Sequence, residues 1–156
     1  NQPSREIMKK LTIMRGVPGS GKSFKAQAMG GLVLSTDDFF MTDGVYRFNG
    51  KDLPKAHAWN QIRAHTAMEN NVPHVIIDNT CCQAWEAREY CLAAKVNGYD
   101  VEFVCADSPW AQDALECASR NQHGVPLASV VAMLSRFETN QLTVEACLAA
   151  KAPWEK

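Results

Sequence analysis

Residues 16–23 read Gly-Val-Pro-Gly-Ser-Gly-Lys-Ser, which satisfies every position of the phosphate-binding pattern G-x-x-x-x-G-K-[ST]. Glycines let the backbone of such a loop curl so that successive N–H groups point at a phosphate. In this pattern Lys22 reaches the β- and γ-phosphates, and the Ser23 hydroxyl ligates Mg²⁺. The residues expected to bind the nucleotide are Gly16, Pro18, Gly19, Ser20, Gly21, Lys22 and Ser23. The sequence therefore predicts a site for ATP, or another nucleoside triphosphate, with Mg²⁺.

The segments that flank this loop favour phosphate binding over an ordinary glycine-rich turn. An apolar run at residues 11–14 precedes it, and residues 24–29 contain no proline and can form a helix. Strand, loop and helix in this order are the context in which the pattern acts as a phosphate site.

An acidic pair, Asp37 and Asp38, follows the apolar run at residues 32–35. Because strand ends of an open α/β sheet face its ligand-binding crevice, both carboxylates are expected near the phosphate loop. A hydroxyl that attacks a γ-phosphate needs a proton acceptor, and this pattern indicates Asp37 for that role. The alternative for Asp37 is an N-cap on a following helical turn. For Asp38, capping or support is expected ahead of contact with the acceptor.

A third acid, Asp78, follows the apolar residues 75–77. It is interpreted either as a Walker-B-type residue that holds Mg²⁺ through water or as a group that orients the acceptor. The alternative is a turn formed by Asp78 and Asn79.

A cation, Arg120, lies where a predicted helix meets the sequence Asn-Gln-His-Gly at 121–124. An arginine on such a hinge can swing onto the nucleotide phosphates and neutralise transition-state charge. A solvated helix C-terminus also favours arginine, and that alternative stays open.

Two further segments are candidates for binding the acceptor. Trp59 and Arg63 lie on a predicted helix whose polar groups suit a base and a phosphate of a nucleic-acid strand. The alternative is an amphipathic helix that turns Trp59 and Ile62 towards the core. Residues 45–49, with Arg47, alternate between two glycines and predict a hairpin over the ligand-binding edge of the sheet, or a plain surface hairpin.

The elements that must position these groups alternate along the chain. Apolar runs predict strands at 11–15, 32–35, 74–78 and 101–105. Helices are predicted at 24–29, 53–70, 84–96, 109–120, 126–137 and 144–151. This alternation predicts one α/β domain over residues 1–156, with a parallel sheet of four or five strands flanked by helices and joined by right-handed crossovers.

Composition narrows the class of protein. The 156 residues are 46% hydrophobic with a net charge of −1, and no run approaches the length that spans a membrane. Residues 1–5 have no apolar core of a secretory signal, and the missing initiator Met indicates a processed chain or a piece of a longer one. The six cysteines have no metal-ligand spacing and are predicted to be buried free thiols. We therefore expect an intracellular, cytoplasmic protein, with the nucleus as the alternative.

Taken in order, the motifs resemble those of the P-loop 5′-hydroxyl polynucleotide kinases. The motifs are the phosphate loop, Ser-Thr-Asp-Asp at 35–38, Ile-Asp-Asn-Thr at 77–80 and Ser-Arg-Asn at 119–121. The likeness is greatest to the kinase-like domain of Nedd-type ubiquitin-ligase-binding proteins, and phage polynucleotide kinases match more sparsely. The motifs shared with that domain include Ser-Thr-Asp-Asp-Phe-Phe at 35–40, Gly-x-Tyr-x-Phe at 44–48, Ala-His-x-Trp-Asn-Gln at 56–61 and Arg-Asn-x-His-Gly-Val at 120–125.

The resemblance implies an adenylate-kinase-like P-loop fold with an arginine-bearing lid. It implies that Asp37 is the general base, that Asp78 serves the acceptor side and that Arg120 contacts the nucleotide phosphates. The chain departs from the phage enzymes at Phe40, where they carry an arginine for the acceptor's neighbouring phosphate. Arg47 and Arg63 are the candidates to replace it.

The predicted activity is transfer of the ATP γ-phosphate to the 5′-OH end of RNA or DNA, catalysed by Lys22, Asp37 and Arg120. Acceptor contacts are assigned to Asp78, Asp38, Arg47, Trp59 and Arg63. The alternatives are a small-molecule P-loop kinase and a nucleotide-binding interaction module without transfer activity.

Overall fold

The computed structural model describes residues 8–155. Its main sheet has four parallel strands, β1 (Lys10–Arg15), β2 (Leu32–Leu34), β5 (His74–Ile77) and β6 (Asp100–Cys105). A separate antiparallel hairpin contains β3 (Met41–Thr42) and β4 (Val45–Tyr46). The expectation about a secretory signal concerns residues 1–5, which lie outside the described residues.

Six α-helices surround the sheet within the described residues. They are α1 (Lys22–Ala28), α2 (Leu53–Glu69), α3 (Arg88–Asn97), α4 (Ala114–Arg120), α5 (Leu127–Arg136) and α6 (Val144–Ala149). Three 3₁₀ helices, at Thr36–Phe40, Gly50–Asp52 and Ala84–Ala87, precede or connect other elements. No helix in residues 8–155 is both long enough and apolar enough to cross a membrane.

The spatial order of the strands is β2-β5-β1-β6, with β1 in the interior of the sheet. Leu11 of β1 pairs in register with Val75 of β5 on one side and with Val101 of β6 on the other. Parallel strands end at the same edge, so the segments that follow β2, β5 and β1 emerge side by side. The predicted four or five parallel strands are confirmed as four.

Alternation along the strands divides the core between two faces of the sheet. Leu11 and Ile13 contribute to the larger cluster, which includes buried residues of α2, α3 and α6. Met14 points to the other face and packs with Ala26 of α1. A third cluster joins Val17 of the phosphate loop to Cys117 of α4 and Val130 of α5, so the α4–α5 unit packs directly against the loop.

Two predicted helices differ from the structure at their N-termini. The helix predicted at 109–120 begins only at Ala114, because Asp113 is its N-cap and accepts a bond from the Glu116 N–H. The helix predicted at 84–96 begins with a 3₁₀ turn before α3. Its predicted C-terminal signal is confirmed, since Gly98 caps α3 in the left-handed conformation.

The predicted hairpin exists, and its turn contains the first of the two glycines. Asp43 and Gly44 form the turn with φ of 51° and 78°, the left-handed pair that a tight two-residue hairpin requires. Gly44 therefore sits in the turn rather than at the start of an alternating strand, and Gly50 begins a 3₁₀ helix.

All six cysteines are free, as predicted. Five of them are buried, but Cys105 is exposed, so the prediction of burial was wrong for this thiol. The last residue of β6 lies at the rim of the sheet, where the helices no longer cover it.

One fully buried cation, Arg15, ties together two segments at the carboxyl edge of the sheet. Its guanidinium donates to the carbonyls of Cys81 and Cys82 after β5 and to those of Glu138 and Asn140 after α5, at 2.7–3.3 Å. It also lies over the Phe137 ring, 4.6 Å from the centroid. Arg15 thereby connects the segments after β5 and α5 at the point where the phosphate loop begins.

Replacement of Arg15 by Met should strongly destabilise the protein. The two buried carbonyl groups, of Cys81 and Cys82, would lose their donor. Each unsatisfied group costs about 1–3 kcal/mol, so we expect a loss of about 2 kcal/mol or more. Urea denaturation followed by circular dichroism measures the free energy of unfolding. Arg47→Met, at an exposed position, is the matched control and should change it little.

Candidate functional site

The phosphate loop is held at its start and in its middle by neighbouring segments. The Gly16 N–H donates to the Thr80 carbonyl at 2.9 Å, and the Trp110 indole donates to the Gly19 carbonyl at 2.9 Å. Gly19 and Gly21 have φ of 82° and 93°, which favours glycine at both positions. A Cβ atom on Gly19 would lie 2.0 Å from the Cys117 carbonyl oxygen, so α4 requires glycine there.

The loop lysine is paired with the acid that follows β5. Lys22 Nζ donates to Asp78 Oδ1 at 2.7 Å, and both side chains are about nine-tenths buried. The sequence left two roles open for Asp78, a Walker-B-type residue or a group on the acceptor side, and it did not predict this pairing with Lys22. The pair holds the Lys22 ammonium at the edge of the sheet, beside the loop that contains it.

The loop fits a bound phosphate group. Ser20 Oγ is buried and has no hydrogen-bond partner among residues 8–155, an arrangement that fits a loop whose remaining donors serve a ligand. Lys22 adds a positive charge at the same place. Ser23 is exposed in the first turn of α1, so its hydroxyl is accessible to a metal ion. The residues present therefore suit a nucleotide with Mg²⁺.

The turn after β2 projects Asp37 and anchors Asp38. Ser35, not Asp37, is the N-cap of the 3₁₀ helix, since its Oγ accepts from the Asp37 N–H at 3.2 Å. The N-cap alternative for Asp37 was therefore wrong, and its carboxylate serves other contacts. Asp38 reaches back to the Ser35 N–H and pairs with Arg63 at 2.9 Å, which agrees with the supporting role considered for it.

Both oxygens of Asp37 contact rings from other elements. His123 Nδ1, in the loop between α4 and α5, lies 3.1 Å from Oδ2, and the Tyr46 hydroxyl of β4 donates to Oδ1 at 3.4 Å. The two rings stack on each other, with centroids 4.2 Å apart and planes 13° from parallel. Burial, followed by the negative charge of Asp37, raises the pKa of Tyr46 to about 12, so the phenol stays protonated and continues to donate.

A third ring, His57 of α2, contacts the turn that carries this carboxylate. Its Nδ1 lies 3.4 Å from Thr36 Oγ1 in the turn that contains Asp37. His57 is partly open to solvent, yet crowding by its neighbours removes water from the imidazole and lowers its pKa. The Asp37 charge acts in the opposite direction and does not overcome this effect.

A buried amide–phenol network supports this turn. Asn79 Oδ1 accepts from the Thr36 N–H at 2.9 Å, and Asn60 and Asn79 both donate to the Tyr90 hydroxyl, at 2.9 and 3.3 Å. Asn60 is fully buried in α2 and Tyr90 is buried in α3. These bonds connect the end of β5 to the turn after β2, so Asp37 and Asp78 are held relative to each other.

The Trp110 ring connects Arg120 to the phosphate loop. Its guanidinium stacks on Trp110, 3.6 Å from the ring centroid, and Trp110 is the residue that donates to Gly19. The side chain is 47% exposed and pairs with Glu116 one helical turn earlier at 2.7 Å. This position agrees with a mobile cation near the phosphates, since one exposed ion pair holds it only weakly.

The three remaining acceptor candidates are not equivalent. Arg63 lies 3.9 Å from the Trp59 ring centroid and donates to Asp38, the Ser35 carbonyl and Asn60. Its donors are therefore largely engaged within the protein. Trp59 is half-buried against Phe39, whereas Ile62 is 67% exposed, so the amphipathic alternative was wrong for Ile62.

Arg47 remains exposed on the hairpin. Phe40, at the position of the phage arginine, is buried among the Phe39, Tyr46 and Phe48 rings. Of the two candidate replacements for that arginine, Arg47 is the one whose side chain faces solvent beside the site.

Comparison with known proteins identifies the family. A family model described as an AAA domain matches residues 11–140, more than half of the chain. The chain belongs to this family. It is a P-loop kinase-like domain with a nucleotide-binding fold.

Individual relatives agree with this assignment. The chain is 42% identical to human NEDD4-binding protein 2 over 133 residues, which is 82% of this chain and 8% of that protein. Its fold matches a chain of the Pnkp1/Rnl/Hen1 RNA repair complex with a TM-score of 0.65 and 18% identity, covering 86% of this chain and 45% of the other. A gluconokinase from Sinorhizobium meliloti 1021 matches with a TM-score of 0.54 and 17% identity, covering 86% and 77%. The predicted resemblance is thus confirmed, and the two structural matches show the fold alone.

Sequence reasoning missed three aromatic residues that structure the site. Tyr46 and His123 contact Asp37, and Trp110 links Arg120 to the phosphate loop. The first two belong to motifs recognised in the sequence, Gly-x-Tyr-x-Phe and Arg-Asn-x-His-Gly-Val, but spacing does not show that these motifs meet. For Trp110 the sequence indicates only a place in the helix predicted at 109–120.

The low pKa of His57 makes a testable contribution to stability. Between the lowered pKa and the ordinary value of 6.5, the unfolded chain binds more protons at this position than the folded one. Stability therefore rises with pH through this window and is lost as pH falls below about 6.5. Urea unfolding of wild type and His57→Gln, from about pH 5 to about pH 8, should show a smaller acid loss in the variant. Parallel curves for the two proteins would contradict the assignment.

Proposed function

We propose that this domain transfers the γ-phosphate of ATP to the 5′-hydroxyl end of RNA or DNA. The observation that carries the proposal is the exposed Asp37 carboxylate at the meeting point of β2, the hairpin and the α4–α5 loop. In the sheet, β5 lies between β2 and β1, so Asp78 follows the strand between the one that leads to Asp37 and the one that leads to the phosphate loop. Asp78 in turn pairs with Lys22 of that loop. A carboxylate at the same carboxyl edge of the sheet as a phosphate site is the arrangement that hydroxyl activation needs.

The proposed transfer uses residues whose positions complement one another. The hydroxyl oxygen of the acceptor forms a bond to the γ-phosphorus, its proton passes to Asp37, and the bond to the ADP leaving group breaks. Lys22 and the loop N–H groups hold the phosphates, and Arg120 reaches the developing charge from the Trp110 ring. The Ser23 hydroxyl would hold Mg²⁺, which would supply further neutralisation of phosphate charge when bound. Catalysis then consists mainly of positioning and electrostatics.

The hairpin supports a nucleic-acid acceptor. Tyr46 contacts Asp37, and Arg47 and Phe48 follow it on the hairpin as exposed residues. Rings combined with a cation on one exposed segment can bind single strands without a large basic surface. This agrees with the overall charge of −1, which argues against an extended backbone-binding stripe. The fold match to a chain of an RNA repair complex is consistent with such an acceptor.

Wild-type protein incubated with γ-labelled ATP should label a single-stranded 5′-OH oligonucleotide but not gluconate. A 5′-phosphorylated oligonucleotide of the same sequence is the blank. Label on gluconate alone would indicate the small-molecule kinase instead. ATP binding without label on any acceptor would indicate a nucleotide-binding module that lacks transfer activity.

Variants of the loop and the carboxylate separate chemistry from binding. Asp37→Asn should lower transfer by about 10²- to 10⁴-fold, the usual contribution of a general base, with the Kd for ATP nearly unchanged. Lys22→Ala should weaken both. The matched control is Asp100→Asn, an exposed acid at the start of β6 on the opposite edge of the sheet. Full activity in Asp37→Asn would contradict the assignment of the base.

A further inference from the structure

Each carboxylate oxygen of Asp37 has a ring beside it. The Tyr46 hydroxyl donates to Oδ1 at 3.4 Å, and His123 Nδ1 lies 3.1 Å from Oδ2. A carboxylate offers about four lone-pair positions, so neither contact alone blocks a substrate hydroxyl. His123 nevertheless occupies the space beside Oδ2 on the side of the Tyr46 ring, so a hydroxyl that approaches from that side must displace it.

The stacking partner of Tyr46 is the same histidine. The imidazole covers one face of the Tyr46 ring, with centroids 4.2 Å apart, while its Nδ1 lies 3.1 Å from Asp37 Oδ2. When His123 leaves, two positions open together, namely one oxygen of Asp37 and one face of an aromatic ring. The Tyr46 hydroxyl donates to Asp37 Oδ1 at 3.4 Å, so the ring and the carboxylate belong to one site.

The loop that carries His123 is suited to this movement. His123 is exposed and is followed by Gly124, which has a φ of 69°. The loop joins α4, with Arg120 at its end, to α5, with Val130 buried against Val17. The helices are packed against the phosphate loop, whereas the histidine is held by one ion contact and one stack. His123 can therefore swing away while α4 and α5 remain docked.

We propose that His123 is a placeholder for the acceptor: it holds Asp37 and the face of Tyr46 until the 5′-hydroxyl and the terminal base of a polynucleotide displace it. This inference rests on the proposed function and names the part of the acceptor that is recognised. The base stacks on Tyr46, and the hydroxyl on the same nucleoside donates to Asp37. Water can replace the hydroxyl but not the base, so the stack favours transfer over hydrolysis of ATP.

The first test compares acceptors that differ only in the terminal base. One 5′-OH oligonucleotide carries a normal 5′ nucleotide, and the other carries an abasic residue there. In wild type the abasic end should raise the KM for the acceptor by about 5- to 150-fold, the range that one base–aromatic stack is worth. Tyr46→Leu should bind both ends equally, whereas Tyr46→Phe should retain the preference for the base. Equal preference in wild type and Tyr46→Leu would overturn the inference.

The second test removes the placeholder. His123→Ala should lower the KM for the acceptor and raise ATP hydrolysis without acceptor, each by up to about 5-fold, the range of one exposed ion contact. His65→Ala is the matched control, because His65 is similarly exposed, 41% against 39%, and pairs with Glu69 on the outer part of α2. Unchanged KM and hydrolysis in His123→Ala would overturn the inference.

The two proposals fail in different ways. If wild type labels no oligonucleotide, the proposed function fails, whatever the variants do. If wild type labels the oligonucleotide with no preference for a terminal base, and His123→Ala behaves as wild type, the function stands and the placeholder is wrong.

Discussion

The buried ion pair between Lys22 and Asp78 is the contact on which the rest of the site depends. Burying two charges is costly unless they meet with good geometry, and these two atoms are 2.7 Å apart. Removal of one partner would leave an uncompensated charge at the edge of the sheet. The pair fixes the phosphate loop, which follows β1, against the end of β5. Every other functional side chain is then positioned relative to this edge.

A second set of contacts connects the end of β5 to the turn after β2, and it consists of hydrogen bonds between neutral groups. Asn79 bonds the backbone of the turn that carries Asp37, and Tyr90 satisfies both Asn60 and Asn79. A fully satisfied buried network of this kind favours one geometry over others. It leaves Asp37 partly exposed, whereas the neighbouring Asp38 accepts from the Ser35 N–H in the cap of the turn and pairs with Arg63. Two adjacent aspartates thus have different roles because the turn directs one outward and uses the other.

A third set of contacts packs the α4–α5 unit against the phosphate loop. Gly19 accepts from Trp110 and leaves no space for a side chain against Cys117, so α4 and the phosphate loop form one packed unit. Arg120 and His123 extend from this unit, the first over Trp110 and the second onto Asp37 and Tyr46. Nucleotide and acceptor would therefore meet the same short segment of chain. Tight packing of the helices, combined with weak exposed contacts of these two side chains, suits residues that change partners.

The sequence by itself determined the local chemistry. The phosphate loop, the acids after two strands and the strand–helix alternation follow from short-range patterns, because glycine conformation, hydrophobic periodicity and strand-end polarity are set within a few residues. Only the tertiary structure decided which of these groups meet. Asp78 pairs with Lys22, Arg63 pairs with Asp38, and His123 contacts Asp37. Each of these contacts joins residues that are 25 to 86 positions apart in the sequence. Spacing along the chain carries no information on such distances, since they are fixed by the strand order and by the packing of α4 and α5 on the loop.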